Sequence, residues 1–338
     1  MGLLQIKGTI DLAQFWPDGE SDADTTKIKV AVGPNSFRFA ADGKTFKPTK
    51  AFQGAHVVGK STDTVIDKNG RITVRLQGID APELHYRAGP LSTKRPEVTA
   101  PKRTAYNAAN AKPFRQYLAE SATVALRKKL DGFANANSIL SCTATSLVDA
   151  PFEVIDTYGR FVANINVGSG AAVDINKWLA EEGWVLPTFY SSMSEEEIDS
   201  LIDASKKGRK KKGRVWEYYK KSVSGFDARM LFRKGGPLDA AHDKGPALMP
   251  KLFRRQVAYE MEKAAKISAG TFKAFLEKTP DYCFDTEDFK AAGVHSATPR
   301  TLDEFMSGNT FTPEPQDIVF KEKFSDLVNA KGKKVVKW

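Results

Sequence analysis

The stretch Arg75-Leu76-Gln77-Gly78-Ile79-Asp80-Ala81-Pro82-Glu83 sets an arginine, an aspartate and a glutamate at short, fixed intervals. A strand delivers the arginine and then the aspartate. A turn stiffened by Pro82 holds Glu83 in a constant relation to Asp80. Hydrolysis of a phosphodiester uses these parts: a ligand for a hard metal ion, a base for water, and fixed positive charge on the phosphoryl oxygens. A strand end followed by a charged turn would look the same, so this segment alone does not decide.

A second segment, Asp156-Thr157-Tyr158-Gly159-Arg160-Phe161-Val162-Ala163, places another arginine just after a tight turn, at the start of a strand. Together the two segments resemble the staphylococcal nuclease (thermonuclease) family. There a strand ends in R-x-x-x-x-D-x-P-E and a later D-x-Y-G-R supplies a second arginine; here they read RLQGIDAPE and DTYGR. The resemblance spans residues 52–217 and closes at Gly213-Arg214-Val215-Trp216-Glu217, similar to that family's basic ending.

The resemblance implies an α+β fold, an OB-like five-stranded β-barrel with packed helices. It also implies a calcium-dependent endonuclease that cleaves DNA and RNA with little sequence specificity and leaves 3′-phosphates. Carried over by position, Arg75 and Arg160 clamp the scissile phosphate and Glu83 activates or positions the attacking water. Asp80 binds Ca2+, with the Ala81 carbonyl as a further candidate ligand. The residue types suit these roles. Arginine stays charged and forks onto phosphate oxygens, and calcium takes carboxylate and carbonyl oxygen.

The family's further metal-binding aspartate, in a D-x-D-T turn, has two candidates. Asp22-Ala23-Asp24-Thr25 has the full pattern and leads into a strand. Asp63 lies directly on an expected hairpin before Arg75 but lacks the first aspartate, because Ser61 stands there. One of Asp24 and Asp63 is the expected ligand and the other a polar turn. Tyr158, beside the second arginine, and Tyr190, after Phe189, are candidate substrate-binding residues suited to base stacking. The expected partners are DNA and RNA, single-stranded or frayed; nothing marks a protein partner. His56, His85, His242 and His295 show no metal-ligand spacing. The alternative function is a catalytically inactive nucleic-acid-binding module on a nuclease-like barrel. Such modules typically lose the arginine and carboxylate set, which is complete here.

Elements must position these residues. Lys27–Val32 alternates with period two, and Lys68-Asn69-Gly70 is a hairpin signal between Thr64–Ile66 and Ile72–Leu76. Residues 86–110 read as a long exposed loop. Helices are expected over 113–130, 171–182, from Ser194 to about Lys212, and over about 249–278. The domain reading is an N-terminal β-rich extension (1–51) that is either separate from the barrel or part of it, a nuclease-like domain (52–221), and a partly helical C-terminal extension (222–338). Because the matched region closes near Glu217, the extension is expected to be dispensable for folding.

The chain has 338 residues, 41% hydrophobic and 27% charged, enough for a buried core. No run reaches the roughly 18 apolar residues of a membrane span. The net charge of +10 favours a polyanionic partner. The densest basic run, Lys206–Arg214, reads equally as a solvated helix end or a phosphate-contacting patch. Cys142 and Cys283 are expected as buried free thiols. Met1–Ile6 lacks the features of a signal peptide, so the expected compartment is the cytoplasm, or the cell exterior for a processed form.

Overall fold

Period-two alternation of buried and exposed side chains builds the strands of a closed barrel. Its walls are β1 (Gly2–Asp11), β2 (Thr25–Val30), β3 (Arg71–Leu76), β4 (Ile139–Val148) and β5 (Phe161–Val167). The computed structural model describes residues 1–59, 64–91, 95–170, 172–223, 226–293 and 296–338. β1 pairs with β4 along its whole length, from Gly2 opposite Val148 to Asp11 opposite Ile139. β1 also meets β2, β2 pairs antiparallel with β3, β3 runs parallel to β5, and β5 returns to β4. The circuit β1-β2-β3-β5-β4-β1 closes, as expected for an OB-like barrel. Leu4, Ile6, Ile28, Val74, Phe161 and Ala163 are among the side chains that fill it. Two of the five strands precede residue 51, so the N-terminal segment supplies barrel wall.

The hairpin expected around Lys68-Asn69-Gly70 forms only in part. The turn is present, with the Gly70 N–H donating to the Asp67 carbonyl at 2.9 Å, and Arg71–Leu76 is a strand. Its antiparallel partner is β2, with Thr25 opposite Arg75, and not residues 64–66. Thr64 makes only an isolated bridge to His56.

Within the stretch expected as loop lies a helix, α1 (Ala100–Ala109), with Pro101 in its first turn. The helix expected from Pro113 starts later, as α2 (Ala119–Asp131). Residues 114–116 are bound elsewhere: Phe114 exchanges backbone hydrogen bonds with Tyr86, and the Gln116 N–H donates to the Glu83 carbonyl at 2.7 Å. The third helix, α3 (Ile175–Glu181), is capped by the Asp174 side chain. The fourth, α4 (Glu195–Gly208), begins with the Ser194–Glu197 capping box.

The C-terminal extension folds against the barrel. The expected 249–278 helix is broken into α5 (Pro250–Ala264) and a shorter helix, Phe272–Lys278. The extension also holds strands. Ile318–Phe320 pairs in parallel with Phe189–Tyr190 and antiparallel with Tyr282–Asp285. Leu327 pairs with Val57, and Trp338 stacks on Phe39 with ring centroids 4.1 Å apart. A second apolar cluster joins Phe114, Leu118 and Leu186 to Leu252, Phe253 and Phe320.

The basic run at 206–214 is engaged by acidic neighbours. Lys207 pairs with Glu181 at 2.8 Å, Lys211 with Glu182 at 3.0 Å and Arg209 with Glu314 at 2.7 Å. Both cysteines are free and buried. No helix among the described residues is long and apolar enough to cross a membrane.

Candidate active site

The D-x-D-T turn divides its labour between two aspartates. The Asp22 carboxylate accepts the backbone N–H of Thr25 at 2.8 Å and of Asp24 at 3.3 Å, which shapes the turn. The second aspartate is thereby aimed inward. Asp24 Oδ2 accepts the Ala81 N–H at 3.0 Å, and Asp24 Oδ1 accepts the Thr25 hydroxyl at 2.9 Å.

Opposite Thr25 in β2 stands Arg75 in β3. Its guanidinium is buried, donates to Asp80 Oδ1 at 3.0 Å and reaches the Tyr190 hydroxyl at 3.4 Å. The chain reverses between Arg75 and Asp80 at Gly78, where φ is +74° and an added Cβ would lie 2.3 Å from Leu201 Cδ1. The positive φ is the demand that favours glycine here, since the Leu201 methyl lies at the end of a side chain that can shift. Past Asp80, the Glu83 N–H donates to the Gln116 side chain at 3.0 Å, which pins the Pro-Glu turn.

The D-T-Y-G-R turn is built like the first. Asp156 Oδ1 accepts the N–H groups of Tyr158 and Arg160 at 2.8 and 2.9 Å, and Asp156 Oδ2 takes the Arg160 Nε at 2.7 Å. Gly159 supplies the positive φ, +84°. Arg160 Nη1 then reaches the Thr25 hydroxyl at 3.3 Å. A chain of contacts therefore runs Arg160–Thr25–Asp24–Ala81, next to Arg75–Asp80. The Tyr158 ring is exposed and lies 5.3 Å from the Arg160 guanidinium carbon; the Tyr190 ring lies 5.4 Å from that of Arg75. Asp63 lies outside the described residues.

Residues that the motifs did not reveal complete the cluster. Arg254, on α5, donates to Asp80 Oδ2 at 3.0 Å and also to Glu83. Glu322, from the extension, is held by Ser192 and lies in the field of Arg75; burial pushes its carboxyl up. His85 bonds the Glu20 carbonyl at 2.7 Å, and its ring lies 3.9 Å from Asp22. No local pattern pointed to Arg254, which sits in an ordinary amphipathic helix 171 residues from Glu83.

The electrostatics follow from burial of charge. Burial, with the neighbouring Asp24 carboxylate, pushes Asp22 up to about 8. Burial raises Glu83 as well. Burial would also raise Asp80, but Arg254 and Arg75 outweigh it and hold its carboxyl below the usual range. Four carboxylates thus crowd one barrel end: Asp22, Asp24, Asp80 and Glu83. Carboxylate oxygen is the hard donor that calcium takes, so the residues fit such an ion in kind. Both Asp80 oxygens are engaged by guanidinium, and among the described residues no three potential ligands stand together in ligating geometry.

Residues 73–218 match the family model described as staphylococcal nuclease homologue. That match begins inside β3, after the first two strands of the barrel. No curated protein matches the chain. With both arginine motifs seated on a closed five-stranded barrel, residues 73–218 are similar to the staphylococcal nuclease homologue family in motif and fold.

Proposed function

We propose that the protein is a calcium-dependent endonuclease that hydrolyses DNA and RNA with little sequence preference and leaves 3′-phosphates. The observation that carries this reading is that Arg75 pairs with Asp80 while Arg160 reaches Thr25, itself bonded to Asp24, with Glu83 joined to Asp80 through Arg254. The two arginines come from adjoining parallel segments, with Arg75 opposite Val162. Fixed guanidinium groups would bind the scissile phosphate and stabilise the charge that grows on its oxygens. Glu83 would take a proton from the attacking water. Asp24 and Asp80 would hold the ion, which supplies charge stabilisation at the phosphate when bound. Tyr158, exposed beside Arg160, would stack on a base of a single-stranded or frayed substrate, and Tyr190 would set the angle of Arg75.

The second reading is a nucleic-acid-binding module without catalysis. One observation favours it: Arg254 holds the two carboxylates on which the chemistry depends. Incubation of full-length protein with plasmid DNA and with RNA, in calcium, in magnesium and in chelator, separates the two. Calcium-dependent cleavage is expected. Retention of single-stranded DNA without cleavage of either polymer would establish the binding module instead.

A further inference from the structure

Helix α5 carries Arg254 into the carboxylate cluster of the barrel. Its Nη2 donates to Asp80 Oδ2 at 3.0 Å and its Nη1 lies 3.4 Å from Asp80 Oδ1. Nη1 also donates to Glu83 Oε1. From the opposite side Arg75 holds Asp80 Oδ1 at 3.0 Å. Asp80 has no exposed surface, so two guanidinium groups are its surroundings. The next residue, Arg255, faces elsewhere and pairs with Asp281 at 2.6 Å, with Lys251 at 3.2 Å from the same carboxylate. These contacts fix the helix on both sides of Arg254.

We infer that Arg254 is an internal counter-ion that competes with the divalent metal for Asp80, so that the C-terminal extension sets the metal affinity of the site. This rests on the reading of Asp80 as a metal ligand. A calcium ion on Asp80 would share its carboxylate with the Arg254 guanidinium, two positive charges drawing on one negative group. Like charges in a buried site repel strongly, which adds to the competition. A metal ion at Asp80 would therefore be bound against the charge of Arg254. Removal of its charge leaves Asp22, Asp24, Asp80 and Glu83 with less compensation, and the cluster then takes a cation more tightly.

The test is calorimetric titration of calcium into the full-length protein and into Arg254→Gln, Arg254→Lys and the control Arg255→Gln. Arg254→Gln should bind calcium about tenfold tighter or more, since net ligand charge sets calcium affinity. Arg254→Lys, which keeps the charge but loses the fork, should fall between it and the parent, and Arg255→Gln should match the parent. An Arg254→Gln chain that folds only when calcium is present would also support the competition. Equal or weaker calcium binding by Arg254→Gln, or a chain that stays unfolded in excess calcium, would overturn it. Plasmid cleavage scored on the same samples keeps the two readings apart. Cleavage with unchanged calcium affinity sinks the competition alone, and tighter calcium binding without cleavage sinks the nuclease reading alone.

Discussion

The Asp24 carboxylate accepts the backbone N–H of Ala81 at 3.0 Å, a contact across 57 positions of sequence. The Asp24 carbonyl accepts the Leu76 N–H at 2.8 Å as well. The turn before β2 is thus joined to both ends of the Arg75–Asp80 segment, which brings Asp24 and Asp80 to one place. Asp24→Asn removes a charge with little change of shape. It should raise the calcium needed for half-maximal nuclease activity, whereas Asp63→Asn should leave it unchanged. A calcium titration of both variants checks this; a shift in Asp63→Asn alone would move the metal site to the other aspartate.

Arg75 and Arg160 should separate in their effects on stability while agreeing in their effect on rate. Alanine at either should lower cleavage by about 10²-fold or more, because each would stabilise transition-state charge. Arg75 is buried against a buried Asp80, and loss of one partner of such a pair costs about 3–5 kcal/mol. The Arg254 contact on Asp80 softens that loss. Arg160 is partly exposed and pairs with Asp156 on its own turn, so its removal should cost about 1 kcal/mol or less. Denaturant unfolding of both variants would show the difference; equal destabilisation would mean that Arg75 is not held as described.

The turns that seat Arg75, Asp80, Glu83 and Arg160 were legible because they lie in short, rigid motifs. R-x-x-x-x-D-x-P-E and D-x-Y-G-R each need a glycine or proline turn beside the charged residue, and such turns leave a local signature. The first two barrel walls were less legible. β3 finds its partner in β2 rather than across the adjacent turn, and pairing across forty or more positions leaves no mark in local periodicity. The late start of α2 has the same cause. Phe114 and Gln116 fit a helical pattern, but tertiary hydrogen bonds to Tyr86 and Glu83 claim their backbone. Arg254 was invisible for a third reason: a single arginine on a helix gains meaning only from what lies across from it.

Acid should loosen the seat of α5. Asp281 is buried, which raises a carboxyl, yet Arg255 and Lys251 outweigh burial and bring it down to about 2 from 3.8. A depressed carboxyl stabilises the fold above its unfolded pKa and loses that contribution as pH falls through the folded one. The window is therefore about pH 4 to 2, and the loss is of order 2 kcal/mol. Asp281→Asn should remove the contribution at neutral pH. Its unfolding free energy should then fall less than that of the parent between pH 4 and 2. Parallel pH dependence in the two proteins would show that Asp281 does not carry it.

Deletion of residues 222–338 should abolish a stable fold, against what the boundary near Glu217 suggests. The extension buries Phe253, Phe320 and Leu252 against Phe114, Leu118 and Leu186, and lays Trp338 over Phe39. Each fully buried side chain of this size contributes about 1.5–3 kcal/mol, while a whole domain is stable by only about 5–15 kcal/mol. Loss of several such contacts on the barrel side alone consumes that margin. Charge adds to it. Buried Arg115 donates to buried Asp243 at 2.6 Å, and Arg233 pairs with buried Glu120 at 3.0 Å. The cut removes Asp243 and Arg233 and leaves Arg115 and Glu120 to share one contact at 3.4 Å. Residues 1–221 should therefore be insoluble, or soluble without a cooperative melt or a near-ultraviolet dichroism signal. A soluble fragment that melts cooperatively and cleaves nucleic acid would show instead that the barrel folds alone and that the extension acts only through Arg254.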